Sequence, residues 1–321
     1  MLNILVTAVG SELAFAVIKA IKLIKRPYRL IGCDIYPEVV GKYWCDIFYQ
    51  VPLAREEKKY IHAIKKIIKE NGVNIIIPTA DAEFFILSKY KECFKEELNC
   101  HILINDYREI ERFNDKWQAY QWYIEKKLPA PKTFLADDLN TLRDDLDRVT
   151  YPLFLKPRMG GGSRYAYKIN SFEGVLKYHP IVAQPIVQEY LWPDDEEYTA
   201  GTYKTLSDKV FIIIMKRTLK FGMTNTAEVI YDPVLTEFCK KIILNTNLTG
   251  SNNIQFRVTN EGPKILEINP RFSGTTGIRA NFGFNDVEMW IDEIIFHREI
   301  IKPEIKEGRV LRFMEELYLF H

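Results

Sequence analysis

The residues best suited to chemistry lie between positions 251 and 279. Two runs of alternating apolar residues, 254–258 and 264–268, flank the turn residues Asn260, Gly262 and Pro263. That pattern predicts a hairpin with a loop of about five residues. With Val258 opposite Lys264, Gln255 falls opposite Glu267 and Asn253 opposite Asn269. Side chains alternate faces along a strand, so Gln255, Glu267 and Asn269 share one face. Ile254, Phe256, Leu266 and Ile268 take the other and can pack on a core. Three oxygen ligands at this spacing suit a hard cation such as magnesium, which accepts carboxylate and amide oxygens and leaves room for phosphate. Pro270 cannot donate to the ladder and ends the strand. Arg271 follows beside the same face, as a guanidinium able to grip a phosphoryl group through two hydrogen bonds. Cation and arginine together meet the charge that develops in phosphoryl transfer. The competing reading is a polar solvent face with an incidental arginine. A one-residue slip would exchange the faces, but Glu267 and Asn269 share a strand and stay together.

The preceding chain supplies the elements that position these groups. Residues 2–6 form a continuous apolar run, as buried parallel strands do. A small-residue turn, Thr7 to Ser11, leads into a helical pattern over 13–24 and a second strand over 29–33, with Asp34 at its end. This is the opening βαβ of a doubly wound sheet. Gly10 and Asp34 invite a dinucleotide site, yet two of three fingerprint glycines are missing and Glu12 would repel the pyrophosphate. A helix over 58–70 and a strand over 74–77 lead to Thr79 and Asp81, at the strand end where such sheets bind ligands. Both are substrate candidates, with capping of a helix over 82–90 as the competing role. A strand over 101–104 completes the first domain. Asn114 and Asp115 cap a helix over 116–127, stopped by Pro129 and Pro131.

A strand over 150–156 ends on Lys156. Pro157, Arg158 and Met159 turn into the loop Gly160, Gly161, Gly162 and Ser163, whose backbone N–H groups can approach an anion. Behind Lys156, such a loop suits the covering of a triphosphate. Strands over 186–190, 198–203 and 210–215 and a helix over 232–244 precede the hairpin. The acidic residues 194–196 read as a solvated turn. A helix over 285–296 and a strand over 309–313 follow.

At 321 residues the chain has room for two or three domains. A net charge of +1 offers no bulk attraction for nucleic acid or an anionic membrane. No apolar run is long enough to span a bilayer, so a cytoplasmic protein is expected. The five cysteines are odd in number and fit no zinc spacing, which predicts free thiols. The five histidines are scattered, which argues against a histidine-based metal site.

With Lys116, Lys156, Gly160 to Ser163, Gln188-Glu189-Tyr190-Leu191, Gln255 and Glu267-Ile268-Asn269-Pro270-Arg271 in this order, the chain resembles an ATP-grasp enzyme. The resemblance is strongest to the carbamoyl-phosphate-synthase-like branch, with a single grasp unit, and it covers nearly the whole sequence. It implies an α/β plus α+β architecture. A doubly wound pre-ATP-grasp domain (1–112) would precede a two-lobed ATP-grasp fold, with a small lobe (113–190) and a large lobe carrying the metal-binding hairpin (191–321). It implies that Lys116 and Lys156 reach the ATP phosphates beneath Gly161, Gly162 and Ser163. Glu189, Tyr190 and Leu191 would read adenine, and Glu197 the ribose. Gln255, Glu267 and Asn269 would hold Mg2+, two ions bridged by Glu267, with Mn2+ able to replace it. Arg271 would stand at the γ-phosphate or acyl phosphate, with Lys156 and Lys216 as further catalytic cations. Gln255 stands where many relatives carry an acid, although this branch also carries glutamine there. A full carbamoyl phosphate synthase large subunit has two grasp units, so that synthesis is not expected of this chain alone.

The implied reaction is ATP- and magnesium-dependent ligation of a small carboxylate to an amine through an acyl phosphate. Positioning and charge suffice for it, and no side-chain nucleophile is required. Thr79, Asp81, Arg158, Ser273 and Arg279 are candidates for the acceptor pocket, Arg279 being otherwise a helix-surface charge. Nucleic acid and membrane partners are not expected, and a homodimer is a family expectation. Two rivals stand beside this reading. One is phosphorylation of bicarbonate or another small carboxylate without ligation. The other is a non-catalytic ATP-binding subunit, against which the intact Lys156, Glu267, Asn269 and Arg271 argue.

Overall fold

The computed structural model describes residues 1–147, 149–161 and 165–320. The chain begins with five strands, β1 (Leu2–Val6), β2 (Tyr28–Asp34), β3 (Ile47–Gln50), β4 (Ile75–Ile77) and β5 (His101–Ile102). They form one parallel sheet in the order β3-β2-β1-β4-β5. Ile4, Val6, Ile75 and Ile77 pack with helix α1 (Glu12–Ile21) on one side. Leu5, Ile31 and Ile76 pack with α2 (Glu57–Asn71) and α3 (Asp81–Leu98) on the other. Strands buried on both faces explain the unbroken apolar runs. The short strand β3 lies at the sheet edge and carries no such run, so the sequence pattern misses it. Helix α3 runs eight residues past its expected end, because Phe94 continues its buried face.

Two helices, α4 (Tyr107–Asn114) and α5 (Lys116–Glu125), join this unit to an antiparallel sheet of β6 (Thr133–Leu135), β7 (Leu153–Pro157), β8 (Tyr167–Ile169) and β9 (Pro185–Glu189). The order is β6-β9-β7-β8. Leu153, Leu155 and Val187 pack on Leu142, Leu146 and Val175 of α6 (Leu139–Leu146) and α7 (Phe172–Tyr178). Phe154 and Lys156 alternate to the opposite face.

A larger antiparallel sheet follows: β10 (Glu197–Lys204), β11 (Val210–Lys220), β12 (Met223–Ile230), β13 (Gly250–Thr259), β14 (Gly262–Asn269) and β15 (Arg309–Leu311), in the order β14-β13-β10-β11-β12-β15. Ala200, Ile254, Phe256 and Ile268 on one face pack against α8 (Pro233–Leu244) and against Ala119, Trp122 and Tyr123 of α5. Helix α5, expected in the small lobe, thus packs on the large sheet. On the other face, Tyr203, Ile213 and Met215 meet the core built around α1 and α10 (Asp286–Phe296), which follows the short helix α9 (Thr276–Asn281). Toward β13 and β14 that face is polar.

The hairpin departs from expectation in one respect. Asn253 pairs with Asn269 and Gln255 with Glu267, as the spacing predicts. Beyond them a bulge shifts the register, so Phe256 pairs with Ile265 and Val258 with Pro263 rather than Lys264. Ile265 therefore fills the core in place of Leu266. The loop shrinks to Asn260 and Glu261, with Gly262 at φ +104°, backbone that favours glycine. Cys33, Cys45, Cys93, Cys100 and Cys239 are free thiols. Among the described residues no helix is long and apolar enough to cross a membrane.

Candidate active site on the polar face of the large sheet

Four strands, β14, β13, β10 and β11, build the polar face. Glu197 on β10 pairs with Arg257 on β13, and Arg217 extends β11 beside it. Arg217 donates to Glu197 at 2.9 and 3.2 Å, and to Gln255 Oε1 at 2.8 Å. Arg257 donates to Glu197 at 2.7 Å and to the Leu191 carbonyl at 2.8 Å. The expected ribose ligand is thus held between two guanidiniums. Neither arginine stands out in the sequence, where Lys216 is the expected cation although it sits one residue out of phase. Lys216 pairs with Glu196 and lies over the Tyr198 ring on the opposite face. The usable signal was parity: Ile213, Met215 and Arg217 alternate on one side once the strand continues past Met215.

The small sheet contributes Lys156, whose Nζ donates to Gln188 Oε1 at 2.6 Å. Gln188 is fixed in turn by Thr133 at 2.9 Å. Part of the Lys156 stem reaches solvent, but its ammonium is enclosed. Burial first, and then the Lys116 charge, lower its pKa to about 8 against the opposing pull of Glu267. Lys116 begins α5, and its ammonium donates to the Gly160 carbonyl. Lys116 and Glu267 therefore both act electrostatically on Lys156. Gly160 and Gly161 line an open cleft of about 420 Å³ with Glu267, Asn269 and Arg271. Gly162 and Ser163 lie outside the described residues.

In the linker, the Glu189 carboxylate accepts from Lys132 N–H at 3.1 Å and from Lys264 at 3.2 Å. The Tyr190 ring stacks on Phe154 at 4.9 Å, with Lys168 over it at 4.0 Å. Arg271 donates to the Phe272 carbonyl at 3.0 Å and reaches Asp81 at 3.4 Å, above the Phe84 ring.

The remaining acceptor candidates divide. Asp81 lines the cleft. Thr79 is buried, and its hydroxyl donates to the Thr7 carbonyl; the N-cap of α3 is Ala80, without a side-chain bond, so neither Thr79 nor Asp81 caps it. Below lies Glu83, a buried carboxyl that accepts from Tyr60 at 2.7 Å and from Thr7, and is pushed up to about 7 by burial. Arg158 is not free for substrate. It makes three hydrogen bonds of 2.6 to 2.9 Å to Asp115, the residue that caps α5. Ser273 is buried, and it accepts from Arg279 at 2.9 Å. Arg279 is neither a surface charge nor open to a ligand. It is fully buried and bonded to Asp286, Ser251 and Ser273. Asp34 turns inward to accept Gly10 N–H at 2.8 Å and Tyr36 N–H at 3.0 Å, which occupies the carboxylate that a dinucleotide ribose would use.

The family model described as "ATP-grasp in the biosynthetic pathway with Ter operon" matches residues 182–315, and that described as "PylC-like, N-terminal domain" matches residues 4–103. An ATP-grasp match thus stands behind a PylC-like N-terminal match in this chain. It is 23% identical over 271 residues to the carbamoyl phosphate synthase large chain of Synechocystis sp., a match covering 77% of this chain and 24% of that protein. The chain thus spans about a quarter of that relative's length. N5-carboxyaminoimidazole synthetase from Staphylococcus aureus, complexed with ADP, shares the fold at a TM-score of 0.75 and 14% identity, over 95% of this chain and 80% of that one. The biotin carboxylase domain of Hydrogenobacter thermophilus 2-oxoglutarate carboxylase, with MgADP, ADP and bicarbonate, matches at 0.75 and 15%, over 96% and 73%.

The donor set fits magnesium. Glu267, Asn269 and Gln255 offer one carboxylate and two amide oxygens, the hard ligands of a cation whose other positions go to phosphate and water. The Gln255 oxygen already accepts one hydrogen bond from Arg217, which leaves its second lone pair for an ion.

Proposed function

We propose that this chain is an ATP- and magnesium-dependent ligase that joins a small carboxylic acid to an amine through an acyl phosphate. The observation that carries the reading is that Glu267, which lines one cleft with Asn269 and Arg271, acts together with Lys116 on the charge of the enclosed Lys156 ammonium. A carboxylate oxygen of the acid attacks the γ-phosphorus as the bond to the β-phosphate oxygen breaks, giving an acyl phosphate and ADP. The amine nitrogen then attacks the acyl carbon, phosphate leaves and the nitrogen loses a proton. Lys116 and Lys156 hold the phosphates, and Arg271 binds the transferred group. Magnesium on Glu267, Asn269 and Gln255 would neutralise phosphate charge. Glu197 receives the ribose and the Glu189–Leu191 linker the adenine.

The test is ADP release from MgATP with a panel of small acids, each with and without an amine. Release that requires one acid–amine pair and falls at least about a thousandfold in Glu267→Ala supports ligation. Release with an acid alone replaces it by phosphorylation of that acid. Nucleotide binding without turnover across the panel favours a non-catalytic subunit.

A further inference from the structure

Resting on the ligase reading, we infer that the acceptor is a cationic amine with an apolar body, its ammonium on Asp81 and its body over Phe84, Ile104 and Ile110. The cleft has two chemically distinct ends. Glu267, Asn269 and Arg271 mark the end where phosphoryl transfer is placed. The first domain and α4 supply the other, where Phe84, Ile104, Ile110 and Phe113 make a dry floor, each 5% exposed or less.

Asp81 stands at the rim of that floor. It is the first residue of α3 and its side chain is 60% exposed, so its carboxylate can turn toward a ligand at little cost. Among the described residues its polar partner is Arg271 at 3.4 Å, which is loose for a charged hydrogen bond. A phosphoryl group on Arg271 would take over that guanidinium and leave Asp81 as a free anion beside the acyl carbon. An ammonium group answers that charge and passes a proton to the Asp81 carboxylate before its nitrogen attacks, while the floor answers an aliphatic or aromatic body.

Charge also excludes the opposite class. Arg271 is the one cationic side chain among the described residues lining this cleft, and the ligase reading commits it to the phosphoryl group. A phosphorylated or acidic acceptor would find Asp81 instead of a counter-ion.

Calorimetric titration of the full chain with Mg2+ and β,γ-imido-ATP tests the assignment. The probes are L-phenylalaninamide, its uncharged N-acetyl derivative, L-aspartate and D-ribose 5-phosphate. L-Phenylalaninamide is expected to bind at least tenfold more tightly than the other three, and Asp81→Asn to lose at least tenfold of that affinity. Tighter binding of either anion, or amine binding unchanged in Asp81→Asn, overturns the inference. Nucleotide titration of the same wild-type sample separates the two levels. A chain that fails to bind the nucleotide overturns the ligase reading, whereas nucleotide binding without amine preference overturns only the acceptor assignment.

Discussion

Arg217 and Gln255 meet across the intervening strand β10, guanidinium to amide oxygen at 2.8 Å. The same guanidinium holds Glu197, so one side chain ties the expected ribose ligand to an expected metal ligand. Arg217→Ala should raise the KM for ATP at least tenfold, about 1.4 kcal/mol of binding. Lys216→Ala should change it by less than about threefold, because Lys216 faces away and its half-buried pair with Glu196 lies apart from the cleft. Steady-state kinetics of the two variants check the assignment, and equal effects would refute it.

Lys156 predicts a pH dependence. Its folded-state pKa of about 8 lies below the ordinary 10.5 of lysine, mainly through burial. Between these values the free protein has lost a proton that bound phosphate would restore. ATP affinity should therefore fall as pH rises through about 8, and binding near pH 9 should take up a proton. Calorimetry in buffers of different ionisation enthalpy measures that uptake. The unfolded chain binds more protons over the same window, so the Lys156 contribution makes the unliganded protein more stable as pH rises from about 8 to 10.5. Lys156→Gln should abolish both effects.

Arg158 joins the start of the glycine loop to the cap of α5. Arg158→Ala removes its hydrogen bonds to Asp115 and loosens the helix that begins with Lys116. The KM for ATP should rise several-fold while the preference among acceptors stays unchanged. A shift in acceptor preference without a change for ATP would return Arg158 to the substrate.

Breaking the Arg279–Asp286 pair should act on stability. Both side chains are fully buried, and removing one leaves an uncompensated charge. Arg279→Ala should cost about 3–5 kcal/mol in denaturant unfolding. Gly201→Ala should also destabilise, because a Cβ there would come within 2.5 Å of the Arg279 side chain.

Much of this molecule was legible where burial imposes a simple period. The apolar runs of β1, β2 and β4 announce a parallel sheet, and alternation along β13 and β14 brings Gln255 opposite Glu267. What stayed hidden depends on contacts between distant residues. The polar end of β11 looks like a strand terminus, although Glu197 and Gln255 compensate Arg217 there. Arg279 looks like a surface charge until Asp286, seven residues on, closes over it. Arg158 looks available until Asp115, more than forty residues earlier, takes the Nε–Nη2 edge of its guanidinium.

The bulge at Leu266 has a consequence for how this hairpin can change. It divides β14 into two segments of opposite phase, joined by one unpaired residue. Glu267 and Asn269 keep time with Asn253 and Gln255, while Ile265 and the turn keep a separate beat. Insertions near Asn260 can be absorbed at that joint, leaving the chemistry-bearing half of the ribbon facing the cleft. The bulge works as a phase buffer, insulating the oxygen ligands from drift at the hairpin tip.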